Sequence, residues 1–284
     1  MRYFSIYRPF NILFIISAQW LCAYFLNFSA SFASVSEGGI YWLMLGTASA
    51  AAFGYWINDF FDKERDFINK PQKTFIHRLN PYLVLTHLLF FILLTLYAGY
   101  SLDTWFLYLF ITTLIALFLY SFKLKDLLVL GNLIIASLSF ITIYAVHRLF
   151  DGVDVILLLH FALMAGLLNL TREIIKDAED MEGDKLESSK TLPIAIGLNY
   201  TNLIVYVGLL FAISFLVISL FYQRQYLQSN IQIVYYIYCA LFMVIPLYKI
   251  AIDVRFAKTV TDYSTLSKMV KYVLFTGILS ILFF

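Results

Sequence analysis

Apolar residues run along this chain in long continuous stretches separated by short polar segments. Nine stretches approach the ~20 residues a helix needs to cross a bilayer: roughly 10–31, 38–57, 80–99, 103–120, 127–146, 153–170, 193–220, 231–248 and 269–283. A transmembrane barrel would need short segments of strict alternation instead. Helices satisfy their own backbone groups in lipid, so the pattern predicts an all-α polytopic membrane protein. It predicts nine transmembrane helices in one bundle, forming a single domain over residues 1–284. The seventh stretch is long enough to tilt or kink, and the ninth is the shortest.

Composition agrees with the pattern. Of 284 residues, 62% are hydrophobic and 13% charged, against roughly 25% charged in soluble domains. Mean hydropathy is +0.82. The net charge of +2 and the lack of any basic stripe give no case for nucleic acid. No obligate protein partner is called for. Cys22 and Cys239 both lie in apolar runs, with no zinc-ligand spacing, and read as buried free thiols. The opening MRYFSIYRPFNILF leads into the first span without a defensible cleavage site.

Charge placement gives the chain a direction. With nine spans the connections alternate sides, and of 20 Lys and Arg only Arg148 and Arg224 fall opposite the N-terminus. The positive-inside rule places the N-terminus and the charged loops in the cytoplasm; the expected membrane is a prokaryotic plasma membrane. The acidic residues cluster on that same side, in two segments about 120 residues apart.

The first segment, NDFFDKERD, sets Asn58, Asp62 and Asp66 at i, i+4 and i+8. In a helix these share a face, with Asp59 and Glu64 pointing elsewhere. Stacked carboxylates repel unless a cation lies between them, and an amide plus carboxylates suits Mg²⁺. The second segment, NLTREIIKDAEDMEGD, repeats the spacing with Asp180 and Asp184. Asn169, Arg172, Glu173, Lys176 and Asp177 precede them, and Gly183 is expected to relax the helix near its end. Facing each other, the two segments would supply two metal positions that clamp a diphosphate. Lys73, Lys123, Lys125, Arg172 and Lys176 are candidate cations for its outer oxygens.

These motifs resemble those of the UbiA superfamily of intramembrane prenyltransferases. Its first signature, Asn-x-x-x-Asp-x-x-x-Asp, matches Asn58, Asp62 and Asp66. Its second, Lys-Asp-x-x-Asp-x-x-x-Asp, matches Lys176, Asp177, Asp180 and Asp184. Arg8-Pro9-x-Asn11, Asn69-Lys70-Pro71 and the YSFKLK stretch also fit. The resemblance spans essentially the whole chain and implies a nine-helix UbiA-type fold. It implies Mg²⁺, in two ions held by Asn58, Asp62, Asp66, Asp180 and Asp184. Arg8, Asn11, Lys73, Tyr120, Lys125, Asn169, Arg172, Lys176 and Asp177 are then expected around the diphosphate, with Lys125 favoured over Lys123. The string REIIKD…ED…GD resembles the branch that alkylates geranylgeranylglyceryl phosphate.

The expected activity is transfer of a polyprenyl group from a polyprenyl diphosphate to a lipophilic acceptor, releasing diphosphate. An aromatic acceptor of the 4-hydroxybenzoate or naphthoate type is the alternative. A cation-coupled transporter is the rival class, but it predicts charges at mid-span rather than at span ends. His77, His87, His147 and His160 are scattered and read as structural. Tyr41, Tyr100 and Tyr248 read as interfacial anchors.

Overall fold

Side-chain caps mark where several of the apolar runs become helices. Asn80 accepts from the Tyr82 N–H, Asp103 from Phe106 and Asp154 from Leu157, each satisfying a free first-turn donor. Thr259 and Asp262 cap each other reciprocally. The computed structural model describes residues 7–28, 31–62, 79–186 and 189–284.

The helices are α1 (Pro9–Phe25), α2 (Phe32–Glu37), α3 (Ile40–Phe61), α4 (Pro81–Leu102), α5 (Thr104–Phe122), α6 (Leu130–Leu149) and α7 (Val155–Glu179). They continue as α8 (Met181–Leu186), α9 (Leu192–Ile196), α10 (Leu198–Gln223), α11 (Ser229–Cys239), α12 (Ile245–Val254) and α13 (Val260–Leu279). Two-residue strands β1 (Leu127–Leu128) and β2 (Lys190–Thr191) pair in parallel.

Among the described residues, eight helical segments are long and apolar enough to cross a membrane. The remaining one of the nine expected spans, the first, forms a shorter apolar helix. The first run was expected over 10–31, but α1 stops at Phe25 and has 17 residues, about 25 Å of helix. Beyond it Asn27 bridges to Val153, which pulls the chain out of the helical path.

Three other boundaries differ from the sequence reading. The seventh run divides at Gly197, whose φ of 81° is open to glycine at no steric penalty, leaving short α9 ahead of long α10. The eighth continues from α11 to α12 through a π-helical stretch at Ala240–Val244. Pro246 follows it; having no N–H, it cannot complete the regular ladder. The ninth begins at Val260, well before position 269, because the Thr259–Asp262 box starts it.

Three apolar clusters hold the bundle. One joins α7, α10, α11, α12 and α13, with Leu168, Leu209, Tyr235, Leu247 and Val270 at its centre. A second joins α1, α3, α5, α6 and α7 through Cys22, Leu43, Phe106, Val146 and Leu157. A third packs α3 against α4 and α5 around Trp56 and Phe91. Many rings point outward, Phe10, Tyr82, Tyr100 and Phe221 among them, as lipid contact requires.

Candidate active site

Nine helices contribute to the lining of a large cavity of about 690 Å³. Along α7 its lining runs from His160 to Asp177 at helical spacing, a stripe about 25 Å long. Its walls are apolar over most of that length, with Phe14, Leu43, Phe110, Met164, Leu168, Leu216 and Leu274. All its Asp and Glu residues gather at one end.

The first acidic segment reaches this end on the last turn of α3. Asn58 Nδ2 donates to Asp62 Oδ2 at 2.7 Å, so the i, i+4 spacing does bring the two together. Asp62 is the C-cap residue and its backbone N–H bonds to Asn58 O at 2.9 Å. Lys125 donates to the other Asp62 oxygen, and both side chains are largely buried. Lys123 is exposed and lies 3.9 Å from Asp126. Asp66 and Lys73 lie outside the described residues.

Asp59 was expected to point away. It lines the cavity instead, 2.7 Å from Arg8. The reason is α1, whose start crosses beside α3 and brings a cation to the next helical position. Arg8 is the only non-glycine residue with positive φ among those described, at 46°. That conformation is uncommon and strained. Here it accompanies a guanidinium seated over the Tyr55 ring at 4.7 Å.

The second acidic segment comes from the end of α7. Asp177 accepts from Asn132 Nδ2 of α6 at 2.8 Å. Glu173, one turn earlier and buried, receives Arg172 at 3.0 Å and Lys176 at 3.0 Å. Asp180 caps α7, and the helix breaks there rather than at Gly183. One turn survives the break, since the Asp184 N–H still bonds to Asp180 O at 3.1 Å. Asp184 is buried, close enough to Asp177 for their charges to interact.

Tyr120, near the end of α5, lies within electrostatic reach of Asp62 on one side and of Glu173 and Asp177 on the other. The two acidic segments therefore share one chamber. The β1–β2 pair and a 2.9 Å bond from Ser189 Oγ to Asp126 fasten the turn carrying Lys125 to the segment following Asp184. Arg8, Asn11, Asn58, Asp62, Tyr120, Lys125, Asn169, Arg172, Lys176, Asp177, Asp180 and Asp184 all line the cavity. Asn169 Nδ2 donates within its own helix, to Ala165 O. Sequence reasoning missed Asp59, Tyr55, Asn132 and Lys271, which line it too.

Among the described residues, no three Asp, Glu, His or Cys side chains form a cation cage on their own. This donor set still fits Mg²⁺, which takes one or two carboxylates, keeps waters, and completes its octahedron with substrate phosphate. Asp62, Asp177, Asp180 and Asp184, concentrated at one end of an otherwise apolar cavity, are oxygen donors of that kind.

A helical membrane bundle around one deep cavity, apolar for most of its length and acidic and basic at one end, defines a class of proteins that handle amphiphilic, anionic substrates. The chain belongs to the UbiA prenyltransferase family, whose model matches residues 16–274. It is 35% identical to a digeranylgeranylglyceryl phosphate synthase of Thermococcus kodakarensis over 169 residues, 59% of each chain. It is 33% identical to one of Methanobrevibacter smithii over 207 residues, 69% of each chain. The match thus spans about three fifths to two thirds of these relatives. Among solved structures, one concerning digeranylgeranylglyceryl phosphate synthase superposes with a TM-score of 0.72 at 23% identity, covering 99% of this chain and 97% of that one. A UbiA homologue from Archaeoglobus fulgidus, bound to DMAPP and Mg²⁺, superposes with a TM-score of 0.68 at 17% identity, covering 100% of both chains. These likenesses establish the fold.

Proposed function

We propose that this chain transfers a polyprenyl group from a polyprenyl diphosphate to a lipophilic acceptor in a Mg²⁺-dependent reaction. The carrying observation is the cavity itself: carboxylates and cations at one end of a lining that runs about 25 Å along α7, close to the ~30 Å depth of a bilayer core. The diphosphate head occupies the charged end and the tail lies along α7. Absence of Asp and Glu from the apolar part disfavours a transporter, which would bind its cation at mid-span.

In this reading Asn58, Asp62 and Asp66 on one side, with Asp180 and Asp184 on the other, are the metal donors. Lys125, Lys73, Tyr120, Asn169, Lys176, Asp177 and Arg8 surround the diphosphate, with Asn11 and Arg172 beside them. Bound Mg²⁺ would neutralise the diphosphate and stabilise it as a leaving group. Lys125 is near enough to Asp62 to offset charge developing on the departing oxygens. The apolar walls exclude water from the allylic carbon. The acceptor oxygen bonds to C1 as the C1–O bond breaks, and the bonding pair leaves with the diphosphate. The acceptor proton passes to a carboxylate or water at the polar end.

The finer reading completes the picture. The chain is a single domain, α1 crosses with the eight longer segments to make nine spans, and the acidic end faces the cytoplasm of a prokaryotic cell. The cation distribution supports that orientation, since Arg148 and Arg224 alone among 20 Lys and Arg fall on the other side. The relatives' shared name supports geranylgeranylglyceryl phosphate as acceptor.

The test is prenyl transfer by the purified chain in nanodiscs, with labelled geranylgeranyl diphosphate, Mg²⁺ or EDTA, and a glyceryl-phosphate lipid, 4-hydroxybenzoate or a naphthoate. Diphosphate release should require Mg²⁺. Asp62→Ala or Asp180→Ala should lower it by about 10²-fold or more, the scale for losing one electrostatic stabiliser. Wild-type release by either variant would sink the site assignment.

A further inference from the structure

One cation lining the cavity comes from a helix that carries none of the expected site residues. Lys271 belongs to α13, which packs against α7, α12 and α1. The Lys125 turn lies elsewhere, between α5 and α6. Lys271 lies about 16 Å from the start of α13, where its polar first half gives way to apolar residues. Its Nζ donates to Asn11 Oδ1 of α1 at 2.5 Å. Arg172 and Arg8 both lie close enough to act on it electrostatically. Tyr55 closes the group beneath Arg8, within electrostatic reach of Arg172.

The charges that act on Lys271 are positive, those of Arg172 and Arg8. Arg8 is paired with Asp59, while Arg172 and Lys176 share Glu173. Lys271 itself donates to the neutral Asn11. The Nε of Arg172 is buried without a hydrogen-bond acceptor among the described residues. Cations grouped in one cavity call for an anion. A phosphate monoester carries about −1.5 to −2 charges near neutral pH, with three acceptor oxygens.

We infer that Lys271, Arg172 and Asn11 form the seat of a phosphate monoester on the acceptor lipid, distinct from the carboxylates that serve the donor. The inference rests on the prenyl-transfer reading of the cavity. It makes Lys271 a specificity residue: it selects an acceptor carrying both an apolar tail and a phosphate, and disfavours the uncharged alcohol of the same skeleton.

Binding to the full chain in phosphatidylcholine nanodiscs tests this without turnover. The probes are a glyceryl-phosphate ether lipid, its dephosphorylated alcohol, inorganic phosphate, and geranylgeranyl thiodiphosphate with Mg²⁺. Wild type should bind the phosphate lipid at least tenfold more tightly than the alcohol, and inorganic phosphate far more weakly than either. Lys271→Met should abolish the preference while leaving the alcohol and the thiodiphosphate within twofold. Lys271→Arg should restore most of it, and Asn11→Ala, a second variant, should reduce it. Equal wild-type affinity for the two lipids would overturn the inference, as would inorganic phosphate binding as tightly as the lipid. So would a loss of thiodiphosphate affinity in Lys271→Met equal to the loss for the phosphate lipid. Failure of wild type to bind thiodiphosphate would count against the prenyl-transfer reading, while the lipid pair still decides the phosphate seat.

Discussion

Two lysines two positions apart show how the site is drawn at the scale of single residues. Lys125 is buried against Asp62, and Lys123 is exposed. Truncating Lys125 would leave a buried carboxylate without its cation and remove a charge near the leaving group. Lys125→Met should therefore lower kcat/KM for the prenyl diphosphate about 10²-fold, roughly 2.7 kcal/mol. Lys123→Met should stay within twofold, as exposed pairs contribute little. Steady-state kinetics on both variants checks the contrast, and equal losses would refute it. Asn132 supplies a second case. Its amide holds Asp177 at 2.8 Å, and hydrogen bonds to charged groups contribute about 1.5–3 kcal/mol. Asn132→Leu should raise the donor KM about tenfold or more without loss of the folded bundle. An unchanged KM would mean that Asp177 needs no help in facing the cavity.

Helices and the turns between them decide whether those residues arrive in place. Gly131, in the first turn of α6, sits against the Lys125 turn. A Cβ added there would lie 2.7 Å from the Lys125 Cα and 3.2 Å from the Leu124 oxygen. The obstacle is backbone, so it cannot rotate away. Gly131→Ala should push the Lys125 turn outward, lowering kcat/KM about tenfold and destabilising by about 1–3 kcal/mol. Parallel activity and thermal-unfolding measurements check this, and wild-type activity would show that the turn yields freely. Much at this scale was legible in the sequence. Apolar run length gave the spans, and the Asn-x-x-x-Asp and Lys-Asp-x-x-Asp spacings gave residues that meet in one cavity. What stayed hidden depends on contacts between distant elements. Asp59 seemed to leave the stripe because helical spacing says nothing of α1 crossing beside α3 with Arg8. Lys271 meets Asn11 across 260 residues of sequence, so no local motif announces it. The early start of α13 was readable, since Thr259 and Asp262 have capping-box spacing, but apolar counting passed over it.

Across the whole molecule, the cavity joins a charged end to a far end built from different chemistry. There Ser219 and Gln223 of α10, Tyr235 of α11 and Ser280 line it, with Tyr235 donating to Gln223 at 2.5 Å. Partway along, buried Gln19 donates to Thr47 Oγ1 at 2.9 Å and Thr142 O at 3.1 Å. These polar groups are largely spent on protein partners, so the channel presents a surface an isoprenoid can follow. If the tail runs the length of α7, its last units reach α10, and a bulky group there should limit chain length. Ser219 is buried, its hydroxyl bonded to the Phe215 carbonyl, and its position lines the cavity. Ser219→Phe should fill the far end while leaving the charged end untouched. Each buried methylene contributes about 0.8 kcal/mol, so excluding even two or three from the channel should reduce kcat/KM for geranylgeranyl diphosphate by at least tenfold. Geranyl diphosphate, too short to reach that depth, should react as with wild type. Competition between the two donors in one assay reads the ratio directly and cancels differences in folded fraction. An unchanged ratio would mean that the tail leaves the bundle before α10, through the wall and into lipid.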